Sequence, residues 1–430
     1  MIVQFKVKNF LSLRDEQTLS MVVQSGLKEK LLDADRNVIA KEDQKFLKSA
    51  VIYGANASGK SNLIKALASF WYVFTQSIQS PAGIPIPIAS FALNTETVNE
   101  PTMMEMIFHW QDHFYRYGFE VTPQEVKKEW LYLTKDRETK VFVRDGNQYD
   151  IGAKHKILKL VQEQNIVASN ALFLAKATIL NDPMANEVHS WLKQFHVVSG
   201  IYDSLYLGFT LEECQIQEKK NSILELLKIA DFGIEDFEIR EQEGQGFNIK
   251  FDLKTGSSEA NVDPAKSKLP FAVSLRKVMN AKGEATQPAV FNLEQQESEG
   301  TKKFFHLSGP ILNALKNGNV FIIDELDTKL HPLLTERIIE LFHSPKTNTG
   351  NAQLIFATHD TNLLSAHVFR RDQIWFTEKK KDGSTELYSL SDFKKGKKPR
   401  NDLALEKNYL MGKFGGIPYL NQFDAMLESE

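Results

Sequence analysis

A chain of 430 residues with 42% hydrophobic and 25% charged side chains has the composition of a globular protein with room for two or three structural units, which excludes global disorder. Its 52 basic and 55 acidic residues leave a formal charge of −3, so no overall basic bias marks a nucleic-acid binder, although local patches stay open. One cysteine, Cys214, excludes an internal disulfide and a thiolate metal cluster; it fits a reducing cytosol and reads as a buried inert thiol.

The N-terminal MIVQFKVKNFLSL alternates apolar and polar residues, whereas a signal peptide needs an unbroken apolar core. It reads as a strand over Ile2 to Val7 with Val3, Phe5 and Val7 inward. No stretch approaches about 18 uncharged apolar residues, so no membrane partner or span is expected and the chain reads as cytoplasmic. Residues 24–48 are charged and aperiodic, which suggests a loop with a short helix.

Ser49 to Leu63 organises the rest. A short apolar strand runs into Gly54-Ala55-Asn56-Ala57-Ser58-Gly59-Lys60-Ser61, which fills G-x-x-x-x-G-K-[ST] at every required position and is followed by Asn62 and an apolar-periodic helix to about Gln76. The two glycines let backbone N–H groups turn inward on a phosphate at the positive end of that helix. Lys60 would reach the β- and γ-phosphates of ATP, and the Ser61 hydroxyl would hold Mg²⁺.

Pro81 to Pro87 holds three prolines and is a connector. Met104 to Trp110 and Phe114 to Val121 then alternate as a hairpin, with further strands over Trp130 to Thr134 and Lys140 to Arg144, so an antiparallel β subdomain completes residues 1–150. The aromatic run Phe114 to Phe119 with Arg116 suits sheet packing better than base stacking. From 151 to 297 the period turns mostly helical (Ile157, Leu160, Val161; Leu192, Phe195; Ile223, Leu226, Leu227), without the heptads of a coiled coil. Within it Phe237 to Phe251 alternates like a strand, and 254–268 is polar enough to be a mobile linker.

Residues 298–430 carry the second half of the site. Val320 to Ile323 is a buried-strand pattern ending in Asp324-Glu325, a Walker B arrangement in which Asp324 completes the Mg²⁺ shell and Glu325 polarises water. More than half the chain separates it from Lys60, as an ABC-type head with an inserted lobe requires. Ser298 and Gly300, ahead of a helix over Lys302 to Asn317, stand where the ABC signature serine and glycine stand; Glu299 replaces the first glycine of the common form, and an ordinary helix cap is the alternative. Ser298 would face the γ-phosphate held by a second subunit. Asp327 and His331 fall at the place of the D-loop, and Gln353 to Ala357 is a strand ending in Thr358-His359, where His359 suits a γ-phosphate switch. No Q-loop glutamine is evident.

VKNFLSL, GANASGKSN, ESEGTKK, FIIDELDTKLHP, ATHDTNLL and the closing EKNYLMGKFGGIPYL together resemble ABC-type ATPases of the RloA and AbiLi kind, cousins of the OLD-family and SMC-class ATPases. The resemblance covers both ends and leaves the middle helices thin. It implies an α/β P-loop NTPase head with a mixed central sheet, a bacterial anti-phage or abortive-infection ATPase, composite ATP sites in a homodimer or higher homo-oligomer, and a separately encoded Toprim nuclease-like partner. It also carries the catalytic role onto Lys60, Ser61, Asp324, Glu325 and His359 and the inter-subunit role onto Ser298. A nuclease within this chain is not expected, since the tail lacks spaced Glu and Asp-x-Asp residues on successive strands. The basic run Lys394 to Arg400 suits nucleic acid or a solvated loop equally. A DNA-repair ATPase of the SMC class and a transporter ATPase are the competing readings.

Overall fold

The computed structural model describes residues 1–27, 36–41, 44–252, 257–392 and 404–417. The basic run Lys394 to Arg400, residues 254–256 and the last three residues of EKNYLMGKFGGIPYL lie outside them. The N-terminal alternation forms β1 (Ile2–Lys8), paired antiparallel with β2 (Gln17–Ser20). Of residues 24–48, expected to be a loop with a short helix, 28–35 and 42–43 lie outside the described residues; in the rest β3 (Val38–Lys41) and β4 (Gln44–Leu47) form a hairpin, because the apolar pairs Val38-Ile39 and Phe46-Leu47 bury together across two strands.

β5 (Ser49–Gly54), buried throughout, leads into α1 (Lys60–Gln79). An antiparallel meander follows, through β6 (Thr102–Trp110), β7 (His113–Val121), β8 (Val126–Thr134), β9 (Glu138–Asp145) and β10 (Gln148–Ile151). β1 and β2 join its edge, giving the order β10-β9-β8-β7-β6-β1-β2. In β7 the aromatic run packs inward: Tyr115 stacks on Phe108, and Tyr117 and Phe119 meet Phe70 of α1. Arg116 faces outward to Glu105 and Glu138, so the run is core packing with an ion-paired outer face.

Next come α2 (Lys156–Glu163), α3 (Phe173–Ala177) and α4 (Pro183–Leu192). Phe195, read as helical, instead opens β11 (Phe195–Ser199), where Val197 and Val198 suit a strand. After α5 (Leu207–Glu213) and α6 (Gln217–Ile229), β12 (Asp236–Asp252), β13 (Ser257–Arg276) and β14 (Ala289–Asn292) make a three-stranded antiparallel sheet. Residues 257–268, expected to be linker, are thus strand: main-chain pairing supports them, and hydropathy does not report such pairing. Cys214 is buried, which pushes its thiol up to about 12.

α7 (Leu293–Gln296) precedes α8 (Glu299–Asn317), which leads into β15 (Val320–Asp324); α9 (Pro332–His343), β16 (Gln353–Ala357), β17 (Ile374–Lys379), β18 (Thr385–Ser389) and α10 (Leu405–Leu410) complete the chain. Pro310 lies inside α8 and cannot donate to the carbonyl of His306; Thr210 Oγ1 of α5 donates to that oxygen instead at 2.7 Å, which ties α5 to the helix.

The central sheet has the order β11-β15-β16-β5-β17-β18, parallel except for β18. Its side chains alternate between two cores, as strands covered on both faces must. Ala50, Ile52, Val320, Ile322, Ile355 and Ala357 point into a core shared with α1 and the antiparallel sheet. Val51, Tyr53, Phe321, Ile323, Leu354 and Phe356 point into a second core with α8 and α9. The stretch 151–297 therefore adds a strand to the central sheet as well as helices and the long hairpin.

Candidate nucleotide site

Parallel strands end at a common edge, and β5, β16 and β15 stand side by side there, in that order. β5 delivers the phosphate loop, β15 delivers Asp324 and Glu325, and β16 delivers His359. The loop is braced from three distant segments. Ser58 Oγ meets Thr377 Oγ1 at 2.6 Å, Thr385 Oγ1 donates to Ser58 O at 2.8 Å, and Asn62 Nδ2 donates to Ser12 Oγ at 2.7 Å. Gly59 sits at φ +109, and a Cβ there would collide with Thr385, so no larger residue fits. Gly54 and Ala55 offer carbonyls to Lys60, while Asn56 and Ala57 are exposed at the loop tip.

Lys60 Nζ donates to Gly54 O at 2.7 Å and Ala55 O at 3.1 Å. Burial lowers its pKa to about 8, against the pull of Asp324, Glu325 and Asp327, whose fields all reach it. The Ser61 hydroxyl donates to the Asp324 carboxylate. Burial raises Asp324, and its Oδ1 is buried with no hydrogen-bond partner. An orphaned carboxylate oxygen beside a hydroxyl is the donor set that Mg²⁺ takes together with phosphate oxygens and water, so the residues fit the ion. Among the described residues no group of three or more His, Cys, Asp or Glu converges as a self-sufficient metal site, and a phosphate-bound Mg²⁺ needs none.

Glu325 adopts φ +56, a left-handed conformation unusual for a residue with a side chain. Two neighbours shape it. Gly200, just past β11, donates its N–H to Asp324 O at 2.8 Å, and a Cβ at Gly200 would collide with Glu325 O. Thr328 Oγ1 donates to Glu325 Oε2 at 3.0 Å. His359 is exposed; burial of its ring surroundings and then Lys60 lower its pKa, so it is neutral near pH 7. Asp327 Oδ1 is buried without a partner, facing the same field. His331 instead caps α9, accepting from Leu333 N at 3.3 Å.

Ser298 and Gly300 stand at the start of α8, where a Cβ on Gly300 would meet Lys329 O of the turn after β15. Ser298 is exposed and caps the helix, accepting from Thr301 N at 3.2 Å. The closing stretch packs behind the loop: Tyr409 and Phe376 stack beside Tyr53, and Thr361 Oγ1 donates to Glu406 at 3.0 Å. Sequence reasoning missed Gly200, Thr377 and Thr385, which belong to no motif, and Ser12 and Thr328, although they lie inside VKNFLSL and FIIDELDTKLHP. It also missed Lys303, although that residue lies inside ESEGTKK.

A phosphate loop, an acidic strand end two strands away and an antiparallel sheet packed on the first helix define a P-loop NTPase head of ABC type. More particularly, the chain belongs to the family described as "AAA domain, putative AbiEii toxin, Type IV TA system", which matches residues 49–151 and 215–365, together more than half of it. It is also similar to the SMC head domain from Thermotoga maritima, at 13% identity and a TM-score of 0.40 over 90% of this chain and 98% of that one. A second similar structure is an SMC head bound to the C-terminal winged-helix domain of ScpA, at 14% identity and a TM-score of 0.44 over 90% and 97%. No curated protein matches the chain.

Proposed function

We propose that this chain is a Mg²⁺-ATP-hydrolysing switch that acts as a pair of heads and controls a separately encoded effector. One observation carries the ATPase reading: Lys60, Ser61, Asp324, Glu325 and His359 gather at one sheet edge, and Ser298 is exposed at the start of α8. Backbone N–H groups of the loop and Lys60 would bind the β- and γ-phosphates, Ser61 and Asp324 would hold the metal, and His359 would donate to the γ-phosphate. Bound Mg²⁺ offsets charge on the phosphate oxygens. Glu325 orients the attacking water. Ser298 and Gly300 of a second copy close the site from the other side.

The effector is a nuclease-like protein of an anti-phage or abortive-infection module in a bacterial cytoplasm. Two things support this: the motif pattern that resembles RloA and AbiLi ATPases, and a family description that reads "putative AbiEii toxin, Type IV TA system". Among the described residues no helix is long and apolar enough to cross a membrane. Co-expression with the product of the adjacent gene, followed by pull-down with and without ATP, tests it: nucleotide-dependent capture of a soluble nuclease-like protein is expected, and capture of a permease would sink it.

The pairing has its own test. Ser298→Arg should bind ATP normally and fail to hydrolyse it, because Lys60 and Ser61 of the same subunit are intact. Mixed with Lys60→Ala, it should regain part of the activity, since both defects then fall on one composite site. Normal hydrolysis by Ser298→Arg alone would reject the role.

A further inference from the structure

Lys303 lies near the start of α8 with none of its surface exposed. An ammonium removed from water persists only where its donors are answered. Its Nζ donates to three main-chain oxygens, Glu325 O at 3.3 Å, Leu326 O at 3.0 Å and Thr328 O at 2.6 Å. All three belong to the turn that leaves β15, and among the described residues no carboxylate forms an ion pair with Lys303. The side chain therefore fixes a backbone shape rather than matching a charge.

That shape includes the left-handed Glu325, and it places Thr328, whose hydroxyl holds Glu325 Oε2 at 3.0 Å. The chain of contacts runs from ammonium to Thr328 carbonyl, and from Thr328 hydroxyl to carboxylate. Ser298 caps the same helix, so Lys303 ties the acidic turn to the helix whose start would face a second copy.

We infer that Lys303 is a positioning residue for hydrolysis: through Thr328 and the main chain it aims the Glu325 carboxylate at the attacking water and couples it to the Ser298 end of α8. The inference rests on the reading of Glu325 as the water-orienting group. It assigns Lys303 no contact with nucleotide. Occupying one carboxylate oxygen with Thr328 leaves the other to accept from water.

The test compares full-length wild type, Lys303→Met, Thr328→Val, Thr328→Ser and the double variant Lys303→Met/Thr328→Val, measuring labelled-ATP affinity and steady-state turnover. A small misplacement of a reacting group lowers rate by up to about 100-fold, so Lys303→Met should lose about 100-fold in kcat and Thr328→Val about 10-fold, with ATP affinity within about twofold of wild type. Thr328→Ser, which keeps the hydroxyl, should restore kcat. The double variant should be no slower than Lys303→Met alone, because both act through one chain of contacts. Wild-type kcat in Thr328→Val, multiplied losses in the double variant, or an affinity loss as large as the kcat loss would each overturn the inference. If Lys303→Met does not fold, the contrast between Thr328→Val and Thr328→Ser decides the matter by itself. A wild type that binds Mg²⁺-ATP without turnover takes down the Glu325 reading and the inference with it; turnover indifferent to Thr328→Val takes down the inference alone.

Discussion

Lys60 and Lys303 are both ammonium groups buried against main-chain carbonyls, and burial lowers each to about 8. Their surroundings differ in one respect that decides their work. The two carbonyls held by Lys60 belong to the loop that a phosphate would enter, and 6% of the residue still meets solvent, so phosphate oxygens can replace them. The three carbonyls held by Lys303 belong to the turn after β15, and Lys303 itself has no exposed surface. A lowered pKa thus marks burial in both, and only Lys60 stands where a ligand would reach it.

Glu325→Gln should break the comparison most widely, since the turn that Lys303 holds matters to turnover only through this carboxylate. The amide keeps size and loses charge; turnover should fall about 1000-fold with Mg²⁺-ATP affinity intact, and ATP should trap the closed pair in size-exclusion chromatography. Unchanged turnover would pass the role to Asp327.

Lys60→Ala should cost about 100-fold in ATP affinity, because it removes charge-assisted hydrogen bonds to phosphate. Isothermal titration reads this directly. Wild-type affinity would end the assignment of the phosphate loop.

Gly200→Ala sharpens the contrast from the other side of the acidic turn. Its new Cβ collides with Glu325 O, so kcat should drop by about 10-fold or more while affinity stays level. A matching fall in affinity would show that the damage reaches the phosphate loop.

The smallest effect is pH dependence. Phosphate favours the charged ammonium, whose proton is lost through about pH 8 in the free protein. Affinity should therefore be flat below that pH and weaken by nearly tenfold per unit above it. Lys60→Ala should abolish the slope, and Lys303→Met should keep it, because Lys303 faces no phosphate.

Much of this site was legible in the chain because its parts are local. A strand, a glycine loop and a helix lie within fifteen consecutive residues, and the strands ending at Asp324 and His359 announce themselves by buried apolar runs. The antiparallel strands alternated clearly for the same reason. The long hairpin of β12 and β13 was half hidden, since its polar stretch is held by main-chain bonds that leave no trace in hydropathy.

The sequence by itself singled out the residues proposed to carry the chemistry: Lys60, Ser61, Asp324, Glu325 and His359 are picked out by spacing within short segments. Only the tertiary structure decided what holds them. Ser12 reaches Thr385 and Gln353 reaches Ile2 across almost the whole chain, β11 brings Gly200 against Glu325, and Lys303 closes over the acidic turn. These are contacts between segments separated in sequence. Neither periodicity nor spacing encodes them, because each depends on which strand lies beside which once both cores are packed.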